Sequence, residues 1–126
     1  MHQVTPSKKK IILIVEDDLS IRETLGYTLE LEGYPVVTCS NGKRAYEYLL
    51  QNDPPGLILL DLMMPEMNGI ELWELMQKDP KLKSIPVIAV TAISNHVEMT
   101  KQTRGVIRKP IHLDELFKQV EKNYAG

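Results

Sequence analysis

The residues of this chain best suited to chemistry sit at matching places, each directly after a short apolar run. Residues 11–15 lead into Glu16, Asp17 and Asp18, residues 57–60 into Asp61, residues 86–90 into Thr91, and residues 105–107, through Arg108, into Lys109 and Pro110. Taken singly, each has a plain structural use: an acid after a strand caps a helix, a threonine fills a turn, a lysine ends in solvent. Their recurrence at corresponding positions points instead to one shared site. Carboxylates held close together raise one another's pKa or recruit a cation. With oxygen ligands that cation is expected to be hard, and Mg²⁺ fits best, because it takes one or two carboxylates plus waters and leaves positions for phosphate oxygens. Zinc is not expected, since His2, His96 and His112 lack ligand spacing and Cys39 is the single cysteine. Asp61 is then a candidate phosphoryl acceptor, and Lys109 supplies a second positive charge beside the phosphoryl group. Thr91 is a hydroxyl able to hydrogen-bond an attached phosphoryl oxygen and so couple its own loop to the modification. Pro110 would fix the direction of Lys109, and the Lys109–Pro110 bond is a candidate cis peptide because X–Pro bonds tolerate that isomer.

Bringing these residues together requires particular elements. The apolar runs at residues 11–15, 36–39, 57–60, 86–90 and 105–107 read as five buried strands. The first, third and fourth are apolar at nearly every position, as in a parallel sheet covered on both faces. Between them lie helical stripes. Ile21, Leu25 and Leu29 repeat on one face before Gly33, a helix stop; residues 43–51 carry Ala45, Leu49 and Leu50; residues 69–77 carry Leu72, Leu75 and Met76. Leu113, Leu116, Phe117, Val120 and Tyr124 form a further stripe. Residues 94–104 show none, with only Val97 and Met99 strongly apolar, so that fourth helix is expected to be short or irregular. Strand and helix alternating five times predict an α/β sandwich with right-handed crossovers, whose ligands gather beyond the carboxyl ends of the strands.

Composition limits the rest. A chain of 126 residues forms one domain, read here as residues 10–126 behind a tail of residues 1–9, so any output through another domain must act in trans. An apolar share of 43% against 25% charged supports a real core and argues against a disordered tail. The net charge of −2 draws the chain neither to nucleic acid nor to anionic lipid, and Lys8, Lys9 and Lys10 read as a solvated lead-in. No signal-like stretch and no run of about 18 apolar residues occurs, so a soluble, cytoplasmic chain is expected. A lone Cys39 fits a reducing compartment and is expected as a buried small side chain on a strand. The start at Met1 and the full last helix suggest a complete product.

Four segments together resemble a known family. They are Ile-Ile-Leu-Ile-Val-Glu-Asp-Asp over residues 11–18, Leu-Ile-Leu-Leu-Asp-Leu-Met-Met-Pro-Glu-Met-Asn-Gly over 57–69, Val-Thr-Ala over 90–92 and Arg-Lys-Pro over 108–110. In order and content they are similar to the receiver domain of two-component response regulators, the second being the most specific. The resemblance implies a flavodoxin-like (βα)5 sandwich with a five-stranded parallel sheet in order 2-1-3-4-5. It implies Mg²⁺-dependent transfer of a phosphoryl group to Asp61 from a sensor histidine kinase or histidine phosphotransfer protein. Matched by position, Asp17 is the direct metal ligand, Glu16 its water-mediated neighbour and Met63 the residue whose backbone carbonyl completes the site; Asp18 falls outside. Thr91 and Lys109 match the switch hydroxyl and the phosphate-contacting lysine. Such a domain is a phosphoacceptor that takes part in its own phosphorylation and dephosphorylation rather than an enzyme. It signals to a downstream protein in trans, with a homodimer as an open alternative and no direct contact to nucleic acid or membrane.

The chain also departs from that family. Val106 stands where receivers carry an aromatic switch residue, and the 18 positions from Thr91 to Lys109 fall short of the family pattern by about one helical turn. A remodelled signalling face and a merely tolerant loop explain these departures equally well. Met63 and Ile93, two positions after Asp61 and Thr91, are both apolar and are expected to shield the acyl phosphate from water. Trp73 reads as helix packing rather than a partner anchor. The rival reading is a pseudo-receiver, a constitutive adaptor that never uses the phosphate. A flavodoxin is excluded because acids stand where its phosphate loop would be, and a haloacid-dehalogenase-type phosphohydrolase because Leu19 occupies the place of its second aspartate.

Overall fold

Alternation along the strands decides the layers. In a computed structural model of the protein, which describes residues 10–64, 67–92 and 101–126, β1 (Ile12–Val15), β2 (Val36–Cys39), β3 (Leu57–Asp61), β4 (Val87–Thr91) and β5 (Gly105–Arg108) form one parallel sheet. Its order is β2-β1-β3-β4-β5, that of the flavodoxin-like sandwich. Among the described residues there are four helices: α1 (Leu19–Leu31), α2 (Gly42–Gln51), α3 (Gly69–Gln77) and α4 (Leu113–Asn123). Leu13 and Val15 join Ile58, Leu60 and Ala89 in a core closed by Ala45 and Leu49 of α2 and Leu72 and Met76 of α3. Their neighbours Ile12 and Ile14 join Leu57, Leu59, Ile88 and Val90 in a second core closed by Leu25 and Leu29 of α1 and Leu116 and Val120 of α4. Successive side chains leave opposite faces of a strand, which is why uninterrupted apolar runs build two cores.

Several expectations need adjustment. Only β1, β3 and β4 are buried along their whole length; β2 and β5 are sheet edges and half-buried, Cys39 with them. Leu50 and Leu113 do not belong to the buried stripes, being 56% and 46% exposed. At about 100° per residue, Leu50 is turned well away from Leu49. Strands β3 and β4 run one residue further than the apolar runs, because Asp61 still pairs with Val90 and Thr91 with Arg108. Residues 93–100, with most of the expected irregular fourth helix and Ile93, lie outside the described residues, as do residues 1–9 with His2, and His96; residues 101–104 form turns. No helix among the described residues is long and apolar enough to cross a membrane.

The helix ends show why the elements start and stop where they do. Asp18 caps α1, its Oδ1 accepting from Ile21 N at 2.9 Å. At the other end Gly33 takes φ 95°, and Gly33 N and Tyr34 N donate to the carbonyls of Glu30 and Leu29. This is a Schellman stop that a side chain would strain. Asn41 caps α2, and Asn68 with Glu71 forms a reciprocal capping box on α3.

Candidate functional site

At the carboxyl edge of the sheet the strand ends deliver their polar residues to one place. Glu16, Asp61 and Thr91 are buried at the ends of β1, β3 and β4, whereas Asp17 is exposed beside them. One carboxylate oxygen from each of Glu16, Asp17 and Asp61 lies within 4.8 Å of the others. Lys109, just past β5, reaches in from the far side, with Nζ 3.1 Å from Asp61 Oδ2 and 3.0 Å from Glu16 Oε1. The other Asp61 oxygen, Oδ1, accepts from Met63 N at 3.1 Å. Thr91 holds the lysine's strand, its carbonyl accepting from Lys109 N at 2.9 Å. The Lys109–Pro110 peptide bond is cis. Asp18, by contrast, is engaged as the cap of α1, and its N–H donates to Glu16 Oε2 at 3.1 Å.

The electrostatics of this cluster are unbalanced. Three carboxylates face one ammonium in a setting where Glu16 is 2% and Asp61 3% exposed. Burial pushes the Glu16 carboxyl up to about 7; the negative charge of Asp61 adds to the rise, while the Asp18 N–H and Lys109 oppose it. For Lys109, burial alone would lower the pKa, but contact with Glu16 and Asp61 outweighs it and holds the ammonium above its ordinary range. Glu16 Oε1 is the telling atom: it is buried, and its contact with Lys109 Nζ is an ion pair that the ammonium also shares with Asp61. Three carboxylate oxygens converging on a single ammonium form a cluster short of positive charge, which fits a hard divalent cation.

Glycine and asparagine hold β3 against its neighbours. A Cβ on Gly69 would run into the Asp61 carbonyl oxygen and stand 2.9 Å from Leu62 Cα, so only glycine lets α3 begin that close to Asp61. A Cβ on Gly42 would likewise strike the carbonyl of Met67, which accepts from Gly42 N at 2.8 Å. The Asn68-Gly69 pair is thus a cap followed by a close approach, both serving the loop that carries Asp61 and Met63.

A profile of the response regulator receiver domain matches residues 12–121. The chain belongs to that family. The response regulator receiver protein CpdR of Brucella abortus (strain 2308) is 40% identical over 115 residues, which cover 90% of this chain and 95% of that protein. The polar-differentiation response regulator DivK of Brucella anthropi is 32% identical over 121 residues, 93% of this chain and 97% of that protein. Among solved structures, response regulator TrrA from Thermotoga maritima in complex with Mg²⁺-BeF superposes with a TM-score of 0.80 at 32% identity, covering 90% of this chain and 97% of that one. This is therefore a receiver domain of two-component signalling with a Glu-Asp-Asp pocket, similar along nearly its whole length to single-domain regulators.

Other residues singled out in the sequence take quieter places in the receiver. Val106 on β5 pairs with Ala89 and packs, half-buried, on the core beneath α2 and α3. Trp73 is half-buried against the same core. Met63 is 46% exposed, and His112 sits at the N-cap of α4 without a side-chain cap bond. Sequence reading passed over Arg22. Its Nη1 donates to the carbonyl oxygens of Glu16 at 2.9 Å and Asp17 at 3.3 Å. An arginine in the first turn of a helix ordinarily reads as a solvated charge; the signal was its position, one turn beyond the acidic residues.

Proposed function

We propose that this receiver accepts a phosphoryl group on Asp61 from a histidine kinase or histidine phosphotransfer protein and signals through a phosphorylation-dependent protein contact. The observation that supports it best is the meeting of Glu16, Asp17 and Asp61 oxygens within 4.8 Å, with Lys109 Nζ at 3.1 Å from Asp61 Oδ2. Glu16, Asp17 and Asp61, with the Met63 carbonyl, would hold Mg²⁺. Bound there, the ion supplies positive charge against the phosphoryl oxygens. An oxygen of Asp61 forms the new O–P bond as the P–N bond of phosphohistidine breaks and the imidazole leaves with the electron pair. Lys109, already paired with Asp61, shifts its ammonium onto the transferred group, and Thr91 donates its hydroxyl to a phosphoryl oxygen. Because Lys109 N is bonded to Thr91 O, movement of either residue is felt by β4 and β5 together. The protein acts on itself, as a cytoplasmic phosphoacceptor rather than a turnover enzyme.

Intact-mass spectrometry after incubation with a small phosphodonor tests this reading. A gain of one phosphoryl group is expected with Mg²⁺, and none in EDTA or in Asp61→Asn. A folded, Mg²⁺-binding protein that gains no mass would count against this reading and favour the rival, a constitutive pseudo-receiver.

A further inference from the structure

Arg22 is the only basic residue of α1, and the one turn it stands beyond the Asp18 cap lets its side chain reach back over the β1–α1 connection. There a single nitrogen, Nη1, donates to the carbonyls of two successive residues, Glu16 and Asp17. Among the described residues the ion pairs are those of Lys109, so the guanidinium binds this backbone and no carboxylate. Fixing two consecutive carbonyls fixes the peptide planes on both sides of Asp17. The connection is also held at its start, where Glu16 N donates to Cys39 O at 3.0 Å, and at its end, where Arg22 N donates to Asp18 O at 2.9 Å. Between these anchors the Arg22 side chain braces the backbone on both sides of Asp17, while the Glu16 carboxylate is held in addition by Asp18 N and Lys109.

We propose that Arg22 is a positioning residue for the metal site. It holds the Glu16 and Asp17 carboxylates against Asp61 and thereby sets the affinity for Mg²⁺ rather than the rate of the chemical step. This rests on the reading of the acidic cluster as a Mg²⁺ site. Charge and positioning predict opposite outcomes. Removing a cation from beside three carboxylates should tighten binding of a second cation, whereas loosening the carboxylates should weaken it, and supporting residues around metal sites commonly account for about tenfold or more in affinity.

The test titrates Mg²⁺ into the unphosphorylated protein and follows amide chemical shifts, with phosphorylation rate against Mg²⁺ concentration measured in parallel. In Arg22→Gln the half-saturating Mg²⁺ concentration is expected to rise about tenfold, with the rate at saturating Mg²⁺ retained. Arg22→Lys keeps the charge but loses the planar fork, and is expected to fall between; it also keeps the test open if the glutamine variant fails to fold. Arg44→Gln removes a charge lining the same cleft as Arg22 that, among the described residues, makes no side-chain hydrogen bond or ion pair to the connection, and is expected to bind as wild type does. Equal or tighter Mg²⁺ binding by the Arg22 variants overturns the inference alone. A wild type that binds no Mg²⁺ overturns the reading of the cluster, and the inference with it.

Discussion

Two glycines of this receiver should answer alanine substitution with opposite signs. Gly26 lies within α1, where an added methyl meets only Thr38 Cγ2 and Val36 Cγ1, both at 3.7 Å, an ordinary van der Waals distance. Alanine there removes freedom from the unfolded chain at no steric cost, so Gly26→Ala is expected to stabilise by about 0.5–1 kcal/mol. Gly69 opens α3 against β3, and its methyl would overlap the Asp61 carbonyl oxygen while standing 2.9 Å from Leu62 Cα and 3.0 Å from Asp61 C. All three are backbone atoms of a central strand and its continuation, so no side chain can rotate aside. Overpacking of this kind costs about 1–3 kcal/mol and outweighs the entropic gain. The entropic gain is common to both, so the two variants should differ by the overpacking cost, about 1–3 kcal/mol, in urea denaturation followed by Trp73 fluorescence. Because the clash bears on the peptide of Asp61 itself, Gly69→Ala should also slow phosphoryl uptake, while Gly26→Ala leaves it unchanged. A Gly69→Ala protein as stable and as fast as wild type would refute the claim that this glycine exists to bring α3 onto Asp61.

Burial raises the Glu16 carboxyl from its ordinary 4.5 to about 7. A carboxyl so raised contributes stability that is full below pH 4.5 and is lost as the pH climbs through 7. In EDTA the wild type is thus expected to lose up to about 3 kcal/mol across that window, Glu16→Gln to lack the loss, and Mg²⁺ to offset it in the wild type alone; parallel pH profiles for the two proteins would contradict this. The Tyr124 ring stands edge-on to Tyr34 at 4.9 Å, and its hydroxyl donates to Lys10 O. Tyr124→Ala should destabilise by about 2 kcal/mol without altering phosphoryl uptake, since this contact lies at the sheet edge opposite Asp61; altered uptake would show coupling through the sheet. Loss of the capping box in Asn68→Ala should cost about 1 kcal/mol in the same denaturation assay, and a neutral result would mean that Gly69 alone determines where α3 begins.

How much of this was legible in the sequence follows from the range of the forces involved. Strand alternation and helix spacing are local, so the layers could be read from runs such as Ile12 to Val15 and from the Leu25–Leu29 and Leu116–Val120 repeats. The chemical residues were legible for a related reason: an apolar run must end where the sheet ends, and a polar residue at that point faces the shared edge. What escaped depends on contacts between distant segments. Nothing near Gly69 in the sequence says that its hydrogen atom faces the Asp61 carbonyl, and nothing near Arg22 says that its head lies on two carbonyls instead of in water. Leu50 and Leu113 fit the helical spacing yet lie exposed, because spacing marks a helix face but not how far a neighbouring element extends over it. The three consecutive acids show the boundary best. Composition makes Glu16, Asp17 and Asp18 nearly equivalent, and their order after the strand separates them only by analogy. The fold separates them physically: α1 begins at Leu19, so Asp18 must cap it; β1 ends at Val15, so Glu16 remains buried against Lys109; Asp17, between the two, is left at the open side of the cluster. A shift of α1 by one residue would reassign all three, and that is why a side chain fixing the β1–α1 connection, as Arg22 does, bears on the chemistry without touching it.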